Sequence, residues 1–349
     1  MKKPDALAFV FLAALCAAPA RARVREKTLL SDFESGKAED RVRLAPALGR
    51  MRDKKATDAL LAAFDVRRSS PRETAAIIGA LGLSGDTRAV TELASSDDYL
   101  RSAALQAGEL PAPLQSLREK TMETLGRLGG DQAVAILEEA VNDKDPRVVE
   151  EAVRGHGRLQ VKDSIPALRQ LATQGGDMTR TVFEAFASIG DRRAEPALEQ
   201  GLMSQDRLVN VEAAYALAKL GHKGMTSRLE AALADDSDPK RVAILAAYYL
   251  AKMDRVAGLD RLVDFMKKGN SDFPILAADA LGRTENPRAV LPLIEALKTD
   301  DSALRLSIAR SLGLLGGVRA VSVLKKLRGD PNPSVQAAAA ALAQLGEAE

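Results

Sequence analysis

One phrase of sequence recurs along the chain, and it constrains the fold more than any other feature. Residues 122–137 read METLGRLGGDQAVAIL, and residues 309–324 read ARSLGLLGGVRAVSVL. A looser copy, ADALGRTENPRAVLPL, occupies residues 278–293. Recurrence at a regular interval is typical of repeat proteins, in which each repeat buries its apolar face against its neighbours. The phrase therefore predicts a stacked array rather than one globular core.

The array is best aligned on the last residue of the second helix in each repeat, which we call the anchor. The ten anchors are Met51, Ser84, Leu128, Leu159, Ile189, Leu220, Met253, Thr284, Leu315 and Leu345. Most are about 31 residues apart, and the longer interval after Ser84 indicates an insertion in the third repeat at about residues 97–113. Three, six and seven residues before the anchor, the side chains are mainly apolar and share one helical face. We expect this face to form the core.

Small residues occupy two further columns. Two residues before the anchor every repeat has glycine or alanine, and four residues before it most repeats again have a small residue. A glycine inside a helix costs about 1 kcal/mol relative to alanine. Because these columns flank the core face, we expect them to let the second helices of neighbouring repeats approach closely.

Turns rich in Asp and Pro separate the two helices of a repeat, and Asp145, Asp238 and Asp330 are the predicted N-caps. The DPxV turn, the following alanine pair and the Leu-Gly step, clearest at residues 330–346, resemble HEAT repeats of the short bacterial type related to phycobilin-lyase repeats. The resemblance covers about residues 24–346. It implies an all-α fold, a right-handed α-solenoid of about ten stacked helix-turn-helix repeats, forming one domain over residues 23–349. Members of this family usually bind other proteins.

The first 22 residues predict a cleavable signal peptide. Lys2 and Lys3 precede an apolar run, which ends in small-x-small steps at residues 18–22. We therefore expect a periplasmic or otherwise exported protein, with a buried N-terminal helix as the alternative. The only cysteine, Cys16, lies in this segment and follows Leu15, which argues against a lipoprotein. A mature chain would have no thiol, hence no disulfide, and no stretch long enough to span a membrane.

Composition and motifs argue against a catalytic site. The 50 Lys and Arg residues balance 48 Asp and Glu residues, so the basic excess typical of nucleic-acid binding is missing. Walker, GxSxG, HExxH and CxxC motifs are absent. His156 stands in the leucine column, where we expect it to be buried with a backbone partner. Neither it nor His222 precedes a glutamate, unlike the His-Glu steps of the HEAT enzymes that hydroxylate deoxyhypusine.

We accordingly predict no catalytic residue, cofactor or metal, and a non-catalytic scaffold or adaptor that binds a protein or peptide. A lyase-like enzyme or enzyme accessory subunit is the alternative, and a structural protein of the envelope is a third class. The resemblance places the second helices on the concave face. Residues one and five positions before the anchor should be exposed there, and we call them the second-helix strip.

The candidate partner-binding residues on the second-helix strip are Arg127, Arg154, Arg158, Tyr215, Lys219, Tyr248, Lys252 and Arg283. Tyr215, Tyr248 and Tyr249 are three of the four tyrosines, and tyrosine is enriched at binding hot spots. The plain alternative is a solvated face with routine ion pairs, such as Glu123 with Arg127 and Asp279 with Arg283. The insertion, which contains Tyr99, is a second candidate edge, although a helical spacer without a binding role accounts for it equally well.

Overall fold

The computed structural model describes residues 28–108, 110–235, 240–268 and 272–346. The predicted signal peptide at residues 1–22 and the predicted N-cap Asp238 lie outside these ranges. Within them the chain forms helices joined by short turns, without strands. The chain divides into an N-terminal unit, residues 1–136, and a C-terminal unit, residues 137–349, and each is described by itself.

The N-terminal unit contains the first three helix pairs. Its helices are α1 (28–35), α2 (Ala38–Met51), α3 (Lys54–Ala63), α4 (Pro71–Ser84), α5 (Ala89–Ala107) and α6 (Ala112–Leu128), and α7 (Asp131–Ala140) crosses the boundary between the units. The second helices of consecutive repeats pack side by side here, α2 against α4 and α4 against α6.

The C-terminal unit continues the alternation. Its helices are α8 (Pro146–Leu159), α9 (Ile165–Leu171), α10 (Gly176–Ile189), α11 (Glu195–Gly201), α12 (Arg207–Lys219), α13 (Met225–Ala234), α14 (Lys240–Lys252), α15 (Val256–Lys268), α16 (Phe273–Arg283), α17 (Val290–Ala296), α18 (Ser302–Leu315), α19 (Gly317–Leu327) and α20 (Pro333–Gly346). The second helices, which carry even numbers, pack in sequence from α8 to α20.

The repeat register is confirmed by where the second helices end. Each even-numbered helix ends at its predicted anchor or within one residue of it. The three apolar columns are buried wherever the structure describes their side chains, except for the half-buried Ala338. The fold is therefore an all-α solenoid of helix pairs whose core is shared between neighbouring repeats.

The small residues of these two columns allow the second helices of neighbouring repeats to pack closely, as the sequence predicts. A Cβ atom placed on Gly49 in α2 would lie 2.3 Å from the carbonyl oxygen of Ala80 in α4. One placed on Gly282 in α16 would lie 2.5 Å from the Cβ of Ser311 in α18. In both cases the position two residues before one anchor faces the position four residues before the next anchor. Any side chain at these glycines would separate the two helices.

The predicted N-caps have different outcomes. Asp145 caps α8, because its side chain accepts a backbone N–H of the first turn. Asp330 does not cap α20, so that prediction is wrong. The helix begins later, at Pro333, and Asn332 accepts the N–H groups of its first turn. Asp330 instead binds Arg305, at 2.8 Å and 3.1 Å from two guanidinium nitrogens.

Most of the described residues of the insertion lengthen two helices. Residues 97–107 form the end of α5, and residues 112–113 begin α6. Asp97 and Arg118 are both buried, and Arg118 Nε lies 2.8 Å from Asp97 Oδ1, which ties the two helices together. The guanidinium of Arg67 covers the ring of Tyr99 at 4.9 Å. These contacts favour the helical-spacer interpretation of the insertion.

Candidate functional site

The structure separates the eight predicted strip residues into three classes. The exposed members are Arg127, Arg158, Lys219 and Arg283. The half-buried members are Arg154, Tyr248 and Lys252, and Tyr215 is buried. The expected exposure of Tyr215 is wrong, since only 5% of its surface is accessible. The structure brings Tyr215, Tyr248 and Lys252 together in the C-terminal unit.

The ion pairs along the strip are mostly local. Arg127 pairs with Glu123 at 2.6 Å, as predicted, and Arg154 pairs with Glu150 and Glu151 of its own helix. The predicted pair between Asp279 and Arg283 is not formed. Asp279 instead accepts a hydrogen bond from Ser307 Oγ of the next repeat at 2.5 Å.

Tyr215 is buried because Tyr249 covers it. The two rings belong to α12 and α14 and stack with their centroids 4.0 Å apart and their planes 15° apart. Tyr249 occupies the small-residue column that faces the preceding repeat, so its ring can extend only over α12. Aromatic pairs at this distance add stability beyond the area that they bury. Two of the three clustered tyrosines are thus core residues.

A buried carboxyl group lies beside this stack. Glu212 in α12 is almost inaccessible, and the hydroxyl of Tyr249 donates a hydrogen bond to its Oε2 atom. Burial raises the pKa of Glu212 to about 8, although the hydrogen bond from Tyr249 opposes part of that change. The side chain is therefore mainly protonated near pH 7. Sequence reasoning missed Glu212; the signal was a lone carboxylate within the apolar run VNVEAAYAL.

The outer layer of the site joins two second helices, α10 and α14. Lys252 Nζ in α14 donates to the Tyr248 hydroxyl at 3.3 Å and lies 3.7 Å from Glu184 Oε1 in α10. Burial raises the pKa of Tyr215 to about 12 and that of Tyr248 further, so both phenols are neutral. We call Glu184, Glu212, Tyr215, Tyr248, Tyr249 and Lys252 the tyrosine cluster.

The tyrosine cluster thus has a rigid interior and a polar outer edge. Tyr215, Tyr249 and Glu212 are buried, whereas Tyr248 and Lys252 are half-buried. Arg283 in α16 is close enough for its charge to lower the pKa of Tyr248, which partly opposes the effect of burial. Tyr248, Lys252 and Arg283 are thus at least partly accessible to solvent, whereas the stack beneath them is covered.

His156 is completely buried, as the sequence predicts. Neither ring nitrogen makes a hydrogen bond of normal geometry, although the backbone of Leu137 lies close enough to act on the ring. Desolvation lowers the pKa of His156, and the nearby backbone of Leu137 and the carboxylate of Glu138 offset part of this change. The imidazole acts as an apolar substitute for the leucine of other repeats and reaches no surface.

A groove in the C-terminal unit is a second concave feature that sequence reasoning missed. It has a volume of about 1020 Å³ and lies between α9 and α11, beside the turns that lead into α10 and α12. Pro166, Pro196 and Phe183 contribute its apolar lining, and the exposed Met203 lies at its side. Arg169 and Asp206 supply one charge of each sign.

Two further properties bear on function. Among the described residues, no group of three or more His, Cys, Asp or Glu side chains is placed to hold a metal ion. Across the same ranges, no helix combines the length and the apolar character that a membrane span requires.

The chain belongs to the HEAT-repeat family. HEAT repeats match residues 110–183, 176–251 and 259–343, and a PBS lyase HEAT-like repeat matches residues 40–65. Together these ranges include most of α2 and α3 and most of α6 to α20. No curated protein matches the sequence significantly.

Solved structures similar to this chain include the following three. Human deoxyhypusine hydroxylase in complex with glycerol is 21% identical, with a TM-score of 0.38, over 73% of this chain and 98% of that chain. The complex of CpcE and CpcF of phycocyanin lyase from Nostoc sp. PCC7120 is 17% identical, with a TM-score of 0.33, over 91% and 92%. YibA of Escherichia coli is 20% identical, with a TM-score of 0.38, over 80% and 97%.

Proposed function

We propose that this HEAT-repeat protein is a non-catalytic scaffold or adaptor of the cell envelope. It binds a protein or peptide through the second-helix strip of its C-terminal unit. The observation that supports the proposal is the tyrosine cluster. There an aromatic side chain, Tyr248, is held in one position on a strip that is otherwise regular. The leader-like sequence at residues 1–22 supports export.

The geometry around Tyr248 supports its proposed role as a binding hot spot. Hot spots are enriched in tyrosine and arginine and need side chains that lose little conformational freedom on binding. Tyr248 packs at 4.9 Å from the ring of Tyr249, and Lys252 holds its hydroxyl. Arg283 lies beside it on the next second helix. The partner would meet a surface that is already ordered.

The same cluster gives little support to a catalytic function. Its carboxyl group with a raised pKa, Glu212, is covered by Tyr249 and is nearly inaccessible to a substrate. Glu184 faces Lys252 and is placed to hold that side chain. A lyase-type enzyme or accessory subunit is the second candidate, favoured by the PBS lyase HEAT-like repeat at residues 40–65.

The test is capture of partners from an envelope extract by the immobilised mature chain, followed by identification of the captured proteins. Tyr248→Ala should weaken capture by about 2 kcal/mol, or about thirtyfold in Kd, and should leave the melting curve close to that of the wild type. Tyr99→Ala is the matched control, because Tyr99 lies in the N-terminal unit.

Two results would contradict the proposal. If Tyr248→Ala captures the partner normally and Tyr99→Ala does not, the binding edge belongs to the insertion. If neither variant changes capture, the second-helix strip around Tyr248 is an ordinary solvated face. Turnover of a captured small molecule would instead favour the enzyme alternative.

A further inference from the structure

The outer edge of the second-helix strip has more hydrogen-bond donors than acceptors. Lys219, Arg283 and Arg310 are all exposed, and none of them makes an ion pair or hydrogen bond with a residue that the structure describes. These residues come from α12, α16 and α18, so the excess extends over several repeats. A guanidinium or ammonium group can only donate.

Tyr248 adds one more donor at the centre of this edge. An ammonium group cannot accept a hydrogen bond, so in the 3.3 Å contact Lys252 Nζ is the donor and the Tyr248 phenol oxygen is the acceptor. The O–H group of Tyr248 remains available, and no described residue accepts it. Burial keeps this phenol protonated. The hydroxyl is therefore a neutral donor between the charges of Lys252 and Arg283.

The acidic groups nearby are already engaged. Glu184 lies against Lys252 at 3.7 Å, and Asp279 accepts from Ser307. Neither of them forms an ion pair with Lys219, Arg283 or Arg310. Water or a bound partner therefore supplies the acceptors for these donors.

The turns that follow the same second helices strengthen the imbalance. Together with the strip and the first turn of α19 they contribute eight cationic side chains, which we call the basic edge: Lys219, Lys223, Lys252, Arg255, Arg283, Arg288, Arg310 and Arg319. The acids of the same turns and strip are the exposed Asp254 and Glu285 and the half-buried Glu184 and Asp279. This local excess stands out because the whole chain is nearly balanced, at 50 basic and 48 acidic residues. Complementary charge increases both the rate and the specificity of association.

Apolar groups accompany the basic edge at its C-terminal end. Leu314 is 69% exposed and Val318 is 88% exposed, and both follow Arg310 at the end of α18 and the start of α19. A ligand for this surface should therefore carry apolar side chains as well as negative charge. An acidic protein segment with interspersed apolar residues has both properties.

A protein segment fits this surface better than a nucleic acid does. Nucleic acids bind through long basic grooves in which bases stack on exposed aromatic rings. Tyr215 and Tyr249 stack on each other and are buried, so their faces cannot receive a base. Asp206 and Asp301 cap α12 and α18 at the other ends of these helices and would repel a phosphate backbone that extended there.

We infer that the basic edge binds an acidic, partly apolar segment of a partner protein, with carboxylates at Arg283 and Lys252 and at the Tyr248 hydroxyl. This inference rests on the proposed scaffold function and specifies the chemistry of its partner. It requires no change in the buried part of the tyrosine cluster.

The probe is a fluorescent peptide of alternating Glu and Leu blocks, whose binding to the full chain is followed by anisotropy at low and physiological salt. Two further probes are the same peptide with every Glu replaced by Gln and a single-stranded DNA of equal length. We expect binding of the Glu peptide that weakens with salt, and at least about tenfold weaker binding of the other two probes.

Matched charge reversals locate the site. Arg283→Glu should weaken binding of the Glu peptide at least about tenfold, and Arg310→Glu tests the same edge if the first variant does not fold. Lys144→Glu is the control, since Lys144 is exposed at the turn that leads into α8 and the net charge changes equally.

Several outcomes would overturn the inference. The Gln peptide could bind as tightly as the Glu peptide, or the DNA could bind more tightly than the Glu peptide. Lys144→Glu could weaken binding of the Glu peptide as much as Arg283→Glu does, or the Glu peptide could fail to bind at all. Failure of the proposed function is distinguishable, because it appears as normal partner capture by Tyr248→Ala. If Tyr248→Ala loses the partner while Arg283→Glu retains the partner and the peptide, the scaffold function stands and the acidic partner is wrong.

Discussion

Replacement of Gly49 by alanine tests the packing of the solenoid most directly. The added Cβ atom would lie 2.3 Å from the oxygen of Ala80 and 2.9 Å from its Cα atom. Both are backbone atoms, so the overlap can be relieved only if α2 and α4 move apart. Overpacking costs about 1–3 kcal/mol, and contact with rigid backbone places this site near the upper value. Alanine recovers about 1 kcal/mol of helix propensity. The net expected loss of unfolding free energy is about 2 kcal/mol.

Gly79 provides the matched control because it lies in the interior of α4, in the same unit. A Cβ atom there would lie 3.2 Å from Lys120 Cε, near the flexible end of a side chain that can move aside. Gly79→Ala should therefore be neutral or stabilising by up to about 1 kcal/mol. Urea denaturation followed by circular dichroism measures both variants, with midpoints compared at a common slope. If Gly49→Ala stabilises the protein as much as Gly79→Ala does, close helix approach does not explain the glycine column.

Three further predictions concern buried polar groups. The folded-state pKa of Glu212, about 8, exceeds its ordinary value of 4.5, so the contribution of Glu212 to stability should be greatest at low pH and fall as pH rises towards 8. At about 1.4 kcal/mol per pKa unit, the loss of unfolding free energy between pH 5 and pH 7 approaches 3 kcal/mol. Glu212→Gln still accepts the hydrogen bond from Tyr249, and in melts at several pH values it should abolish this dependence of stability on pH. The pKa of His156 is lowered, so its destabilising effect appears as pH falls below 6.5, and His156→Leu should raise the melting temperature more at pH 5 than at pH 8. Arg118→Met should lower the unfolding free energy by about 3 kcal/mol, because it removes the ion-pair partner of the buried Asp97; a loss below about 1 kcal/mol would show that the pair is solvated.

The sequence determined the architecture because its evidence is local and repeated. Helical periodicity acts within a few residues, and ten imperfect copies of one pattern average out the irregularities of any single copy. The anchors, the buried columns and the glycine column therefore agree with the structure. The same register predicts that Gly49 faces Ala80. A glycine lowers the stability of its own helix, and a closely packed neighbouring helix compensates for that cost.

Tertiary structure decided which polar residues are buried and which partners they take. Tyr215 belongs to a column that is otherwise at least partly exposed, and it is buried only because Tyr249 of the following repeat covers its ring. Glu212 is protonated for the same reason, since its environment comes from α14 rather than from its own sequence neighbours. Asp330 matches an N-cap pattern, but it instead forms an ion pair with Arg305 of the preceding repeat. Periodicity specifies the face on which a residue lies, but only packing specifies which side chain of the adjacent repeat meets it there.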